Sequence, residues 1–126
     1  MQRSEDLRRA LLSLYRAMSS GDAASVEARY SLEPGSVFIG TGASEFWTDS
    51  AQHNADVRPY FDGSRGPLQW SADEPIALCE GSAGWTIDRP RLLLPDGTTL
   101  TLRLTLVWHL EDGAWRVVHS HASVGG

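Results

Sequence analysis

Val107-Trp108-His109-Leu110-Glu111-Asp112-Gly113-Ala114-Trp115-Arg116-Val117-Val118-His119-Ser120-His121-Ala122-Ser123 decides the fold of this chain. Apolar residues alternate on both sides of Asp112-Gly113, a dipeptide that favours the tight turn of a β-hairpin. Upstream, Leu100, Leu102, Leu104, Leu106, Trp108 and Leu110 share one face of a long strand, while Thr99, Thr101, Arg103, Thr105, Val107 and His109 share the other. A four-residue turn that pairs Leu110 with Trp115 sets Trp108 opposite Val117, Leu106 opposite His119 and Leu104 opposite His121. Both histidines of the His119-x-His121 pair then fall on the leucine face. A single bulge reverses that assignment, because one extra residue flips every side chain beyond it.

Working outward, residues 68–80, 83–94, 98–110 and 115–124 each read as strands, separated by Gly81-Ser82, Pro95-Asp96-Gly97 and Glu111-Asp112-Gly113-Ala114. Tight connections make neighbouring strands antiparallel. Pro90 marks a bulge or edge position inside the second of them. The first half of the chain has a different period. Residues 4–19 read as an amphipathic helix with Ser4 as N-cap and Leu7, Leu11, Leu14, Tyr15 and Met18 on one face. Ser19-Ser20-Gly21-Asp22 ends it and starts a short helix over 23–30. Residues 36–41 form a short strand, and Thr48 or Asp49 caps a third helix that ends near Phe61. Helices followed by a meander specify an α+β domain with the helices on one face of the sheet. No repeat or internal boundary is visible, so residues 1–126 read as a single domain.

Composition narrows the function. The 126 residues are 41% hydrophobic and carry a net charge of −5, which disfavours nucleic acid because phosphate binding needs a basic face. All 11 positive side chains are arginine. The charged N-terminus precedes no apolar signal segment, and no run approaches the roughly 18 apolar residues of a membrane span. The expected setting is therefore cytoplasmic. The single cysteine, Cys79, forms no internal disulfide and reads as a small buried hydrophobe. Glycine-rich phosphate loops, HExxH, paired CxxC and a nucleophile elbow are all missing from the sequence.

The order of elements resembles the cone-shaped nuclear transport factor 2-like superfamily, with SnoaL-like domains nearest. Val107-Trp108-His109, Asp112-Gly113-x-Trp115 and Val118-His119-x-His121-x-Ser123 are similar to the association domain of calcium/calmodulin-dependent protein kinase II, and Arg103-x-Thr105 to a recurrent SnoaL-like pattern. The resemblance is specific over about residues 98–125 and topological elsewhere. It implies a cystatin-like α+β barrel: a curved antiparallel sheet wrapped around N-terminal helices, enclosing a pocket and dimerising through the sheet. The association domain lines its pocket with arginines. Two of those positions are Leu106 and Ala122 here, and Arg89 corresponds to a third. The ketosteroid isomerase branch needs a carboxylate after the second helix and an acid on the meander. Residues 35–44 and 97–110 contain neither Asp nor Glu.

The candidate catalytic groups are His121, His119 and Asp88, because imidazole titrates near neutral pH and Asp88 belongs to the charge cluster Asp88-Arg89-Pro90-Arg91. His119 and His121 sit roughly 7 Å apart along a strand with its ~3.3 Å rise per residue, a spacing that can chelate metal only when a third ligand converges. His109 has the opposite parity and no acid is near, so neither a metal nor another cofactor is expected. The bland reading of the pair is structural, each ring bonded to backbone or to Ser123. Candidate ligand contacts are Trp47, Tyr60, Arg89, Arg103, His119 and His121. Trp47 precedes the third helix where the pocket of this fold opens, and aromatic walls suit a small apolar or aromatic molecule. Asp49, His53 and Asp56 share a face of the third helix, read as solvent-facing. Three function classes follow: a homodimer that binds a small molecule, an enzyme of isomerase, cyclase or hydratase type, and a non-catalytic assembly module.

Overall fold

A computed structural model describes residues 1–125. Strand β1 (Gln2–Arg3) leads into α1 (Glu5–Ser20), α2 (Ala23–Ala28), β2 (Val37–Ile39), β3 (Phe46–Trp47) and α3 (Ser50–Phe61). The meander follows as β4 (Gln69–Ser71), β5 (Ile76–Glu80), β6 (Ala83–Asp88), β7 (Arg91–Leu93), β8 (Thr99–Glu111) and β9 (Ala114–Val124). The helices start where the sequence supplies caps. Ser4 Oγ accepts from the Leu7 amide at 3.1 Å, and the Asp22 and Asp49 carboxylates accept from Ser25 and Gln52. Gly21 closes α1 in the left-handed region, with φ at 74°, where a Cβ would be strained.

The sheet runs β1-β5-β6-β8-β9-β2-β3, with β7 pairing both β4 and β8. Residues 68–80 and 83–94 were each expected as one strand, and each is broken. Pro90 separates β6 from β7, and the segment 72–75, with Glu74 at φ 54° and Pro75 after it, separates β4 from β5. A proline withholds the amide that a continuous ladder needs. Because β6 and β7 both pair with β8, the break bends one ladder instead of ending it, and the sheet curls into a cone. Three pairings lie outside the expected meander: β1 joins β5, β3 joins β2, and β2 runs parallel to β9.

The hairpin departs from the expected register. Leu110 faces Trp115 and Trp108 faces Val117, as the turn dictates, with Asp112 and Gly113 at φ 51° and 81°. Past that point a bulge at Val107/Trp108 leaves Val118 unopposed, so Val107 pairs with His119, Leu106 with Ser120, Thr105 with His121 and Leu104 with Ala122. His119 and His121 therefore stand on the threonine face, outside the cone. Their assignment to the leucine face is corrected by one inserted residue.

The narrow end of the cone is solid. Leu7, Leu11 and Leu14 of α1 share a buried cluster with Trp108 and Val117, each at most 1% exposed. Every such aliphatic side chain contributes roughly 1.5–3 kcal/mol of burial, and the Trp108 indole also donates to Thr86 Oγ1 at 3.0 Å. Gly84 lets α1 approach the sheet: a Cβ there would sit 2.6 Å from Leu7 Cδ2 and 3.2 Å from the Leu78 carbonyl oxygen. Cys79, opposite Gly84, is half-buried where a fully buried position was expected. No described helix is long and apolar enough to cross a membrane.

Candidate functional site

Beyond the bulge, β9 turns Ser120 and Ala122 inward against Leu106 and Leu104. Two small side chains where the narrow end has Val117 leave the wide end of the cone hollow. The resulting cavity has a volume of about 400 Å³, within the range of small-molecule sites. Leu100, Leu102, Leu104 and Leu106 of β8 form its floor, with Leu92 and Leu94 alongside. Helix α3 lies across it with His53, Val57, Tyr60 and Phe61, while Trp47, Trp70, Tyr30 and Met18 complete the wall. Its polar groups are few: Thr41, Glu45, His53, Arg65, Ser120 and the polar tips of Tyr30, Tyr60 and the two indoles.

His53 carries the most information among them. It lies inside α3 at 5% exposure, so its assignment to a wet face is corrected; Asp49 and Asp56, with which it was grouped, are exposed. Its ring centre is 4.3 Å from that of Phe38, 4.9 Å from Tyr30 and 5.1 Å from Trp47. His53 Nδ1 is 3.0 Å from Asn54 Oδ1. Burial in this aromatic cage holds the imidazole below its usual pKa, against the smaller opposing pull of Asn54 and Asp56, so the ring is neutral near pH 7. Tyr30 is 6% exposed, and burial pushes its phenol above the usual range.

Neither His53 Nε2 nor the Tyr30 hydroxyl has a hydrogen-bond partner among the described residues. Trp70 Nε1 is the side-chain polar atom that is both unpartnered and sealed from solvent. The other two atoms keep some accessible surface, and both of their side chains line the cavity. The remaining charges on the wall are engaged. Glu45 Oε1 accepts from the Gly42 amide at 2.6 Å, and Arg65 lies 4.6 Å over the Tyr60 ring. The loop folds tightly around Glu45: a Cβ on Gly40 or Gly42 would meet it at 2.8 or 2.7 Å. Trp47 Nε1 donates to Asp56 at 2.8 Å, which fixes the indole against α3.

Of the residues singled out from sequence, Trp47 and Tyr60 line the cavity and the others do not. His119 Nδ1 donates to the Val37 carbonyl oxygen at 2.8 Å, clipping β9 to β2, and His121 is exposed beside Thr105. Arg103, also on the outer face, donates to Ser123 Oγ at 3.1 Å. Arg89 is exposed and lies 3.9 Å from Asp73. Asp88 is buried but away from the cavity. Its carboxylate accepts from Tyr15 at 2.9 Å and from the amides of Asp73 and Arg89 at 3.1 and 2.8 Å. It ties α1 to the end of β6, and burial, reinforced by this anion, raises the Tyr15 phenol above its usual range. The register and these partners place all five side chains off the cavity wall.

Sequence reasoning passed over His53, Tyr30, Glu45, Arg65 and Trp70. One signal was present. The resemblance put Ala122 at a pocket-lining position, and with Ala122 inward His121 must point outward.

Comparison with known proteins agrees with this architecture. A family model described as a SnoaL-like domain matches residues 7–125. Among solved structures, a protein from Streptomyces avermitilis, provisionally named a dehydratase of the nuclear transport factor 2-like family, superposes with a TM-score of 0.81 at 13% identity, covering 97% of this chain and 95% of its own. A protein from Xanthomonas campestris, provisionally named a calcium/calmodulin-dependent protein kinase II association domain, gives 0.77 at 14% identity, covering 99% and 95%. A cystatin-like protein from Nostoc punctiforme gives 0.77 at 7% identity, covering 99% and 96%. No curated protein matches the sequence. At these identities the likeness is one of fold.

Proposed function

This chain belongs to the SnoaL-like domain family, and we propose that it is a homodimer that holds a small, mostly apolar molecule inside its cone. The observation that carries this reading is the hollow wide end, about 400 Å³ and walled by leucines and aromatic rings. Such a space loses dispersion contacts when empty and regains them with a ring-sized guest. Electrostatics agree: a wall with one neutral imidazole and engaged charges disfavours an ionic ligand.

Dimerisation is supported by the outer sheet face. Ile76 and Ile87, 52% and 44% exposed, are cross-strand partners there, and the neighbouring row Leu78, Trp85 and Val107 is only half-buried. A contiguous apolar patch of this kind favours a second copy of the same face. Light scattering at micromolar concentration should give twice the chain mass; a monomer would exclude this arrangement.

A second reading has one specific observation behind it. His53 is the histidine on the cavity wall among the described residues, and a neutral imidazole in an apolar site can move a proton. An isomerase, cyclase or hydratase-type enzyme would therefore use His53 in place of His121, His119 or Asp88.

The test is a crystal grown from untreated protein, together with mass spectrometry of a solvent extract. A stoichiometric organic molecule in the wide end supports the reading. A cavity closed by side-chain movement, with nothing extracted, leaves a module that only assembles.

A further inference from the structure

We propose that Tyr30 and His53 together anchor a hydroxyl group, so that the guest of the cone is a neutral phenol or alcohol on an apolar ring system. The inference rests on the cavity reading above and names its ligand class. Asn54 Oδ1 can only accept, so the His53 Nδ1 at 3.0 Å from it carries the ring proton. Nε2 is then left with a lone pair, an acceptor on a side chain that lines the cavity. Tyr30, kept protonated by burial, presents a donor from a ring centred 4.9 Å away.

An unmet acceptor and an unmet donor thus share one apolar wall, and the chemistry of the pair selects its partner. A ligand hydroxyl donates to Nε2 and accepts from Tyr30 with the same oxygen. A ketone, ether or carboxylate brings no proton for Nε2. An ammonium brings no acceptor for Tyr30 and buries a charge that nothing on this wall is free to balance. The charged groups around the pair are committed elsewhere: Asp56 to Trp47 and Gln52, Glu45 to the Gly42 amide, Arg65 to the Tyr60 face. Tyr30 and Trp47 line the cavity beside His53, so an aromatic ring bearing the hydroxyl would lie against aromatic wall.

Calorimetric titration of the whole protein with 2-naphthol, 2-methoxynaphthalene and naphthalene tests this directly. The naphthol should bind on the order of tenfold tighter than its methyl ether, the usual consequence of leaving buried polar groups unpaired. Only the naphthol can donate to Nε2, so His53→Phe should erase most of that preference, whereas Tyr30→Phe, which removes a donor that either oxygen can accept from, should weaken naphthol and ether together. Equal affinities for all three compounds in the unmodified protein would overturn the anchor while leaving the cavity reading intact. Failure of all three to bind folded protein would overturn the cavity reading itself. The comparison within the unmodified protein needs no variant to fold.

Discussion

The two ends of the cone are built from the same two strands and do opposite things. At the narrow end Trp108 and Val117 face each other across β8 and β9 and close the core completely. At the wide end the opposed pairs are Leu106 with Ser120 and Leu104 with Ala122, and the space between sheet and α3 stays open. The bulge at Val107/Trp108 separates these regimes. It teaches that one unopposed residue, Val118, both decides which side chains enter the cone and marks where a packed core gives way to a site.

The comparison can be broken most severely at the narrow end. Trp108→Ala should cost about 3–5 kcal/mol, the range for removing a large buried aromatic, measured as a shifted urea midpoint with an unchanged slope. A loss below 1 kcal/mol would mean the narrow end is not the close-packed half. Asp88→Ala removes the acceptor of three hydrogen bonds and strands the Tyr15 hydroxyl, so a loss of about 2–4 kcal/mol is expected. Because Asp88 lies away from the cavity, the naphthol preference of the surviving folded fraction should be unchanged. A changed preference would return Asp88 to the site.

The wide end should respond in the other sense. Ala122→Leu adds bulk to an existing hollow, so stability should stay within about 1 kcal/mol while binding of any of the naphthalene compounds falls by an order of magnitude or more. A large destabilisation with binding retained would show that Ala122 belongs to packed core. The smallest effect is a pH dependence. The folded state holds the His53 pKa below its ordinary value, so the unfolded chain takes up the proton first. Stability is therefore full above about pH 6.5 and declines as the pH falls below it. His53→Phe should flatten that decline in urea titrations between pH 7.5 and 5; an unaltered slope would place the titrating group elsewhere. His121→Ala, on the exposed outer face, should change neither stability nor binding.

Much of the architecture was legible from residues alone. The apolar face Leu7, Leu11, Leu14, Tyr15 and Met18 repeats at helical spacing, and all five are buried in α1. Ser4, Asp22 and Asp49 cap the helices they precede, because a side-chain oxygen beside free amides acts within a few residues. The meander followed from alternation and Asp-Gly or Gly-Ser turns for the same local reason. The site was much less legible. On α3 the residues over the cavity, His53, Val57, Tyr60 and Phe61, repeat at helical spacing, but the most deeply buried ones are Ser50, His53 and Asn54, all polar, so the stripe is short and easily read as a wet face. Trp47 and Tyr60 were recognised as aromatics in the right part of the fold, whereas Tyr30 and Trp70 reach the wall only through the folded chain.

By itself, then, the sequence determined the element types, their caps and turns, the α+β class and the leucine face of β8, since each depends on contacts within about ten residues. Only the tertiary structure decided the register beyond the bulge, the parallel seat of β2 against β9, the burial of His53 and the outward turn of His119 and His121. Those depend on how the curved sheet closes against α3. A one-residue insertion costs little locally, yet it exchanges the two faces of a strand, and with them the identity of the site.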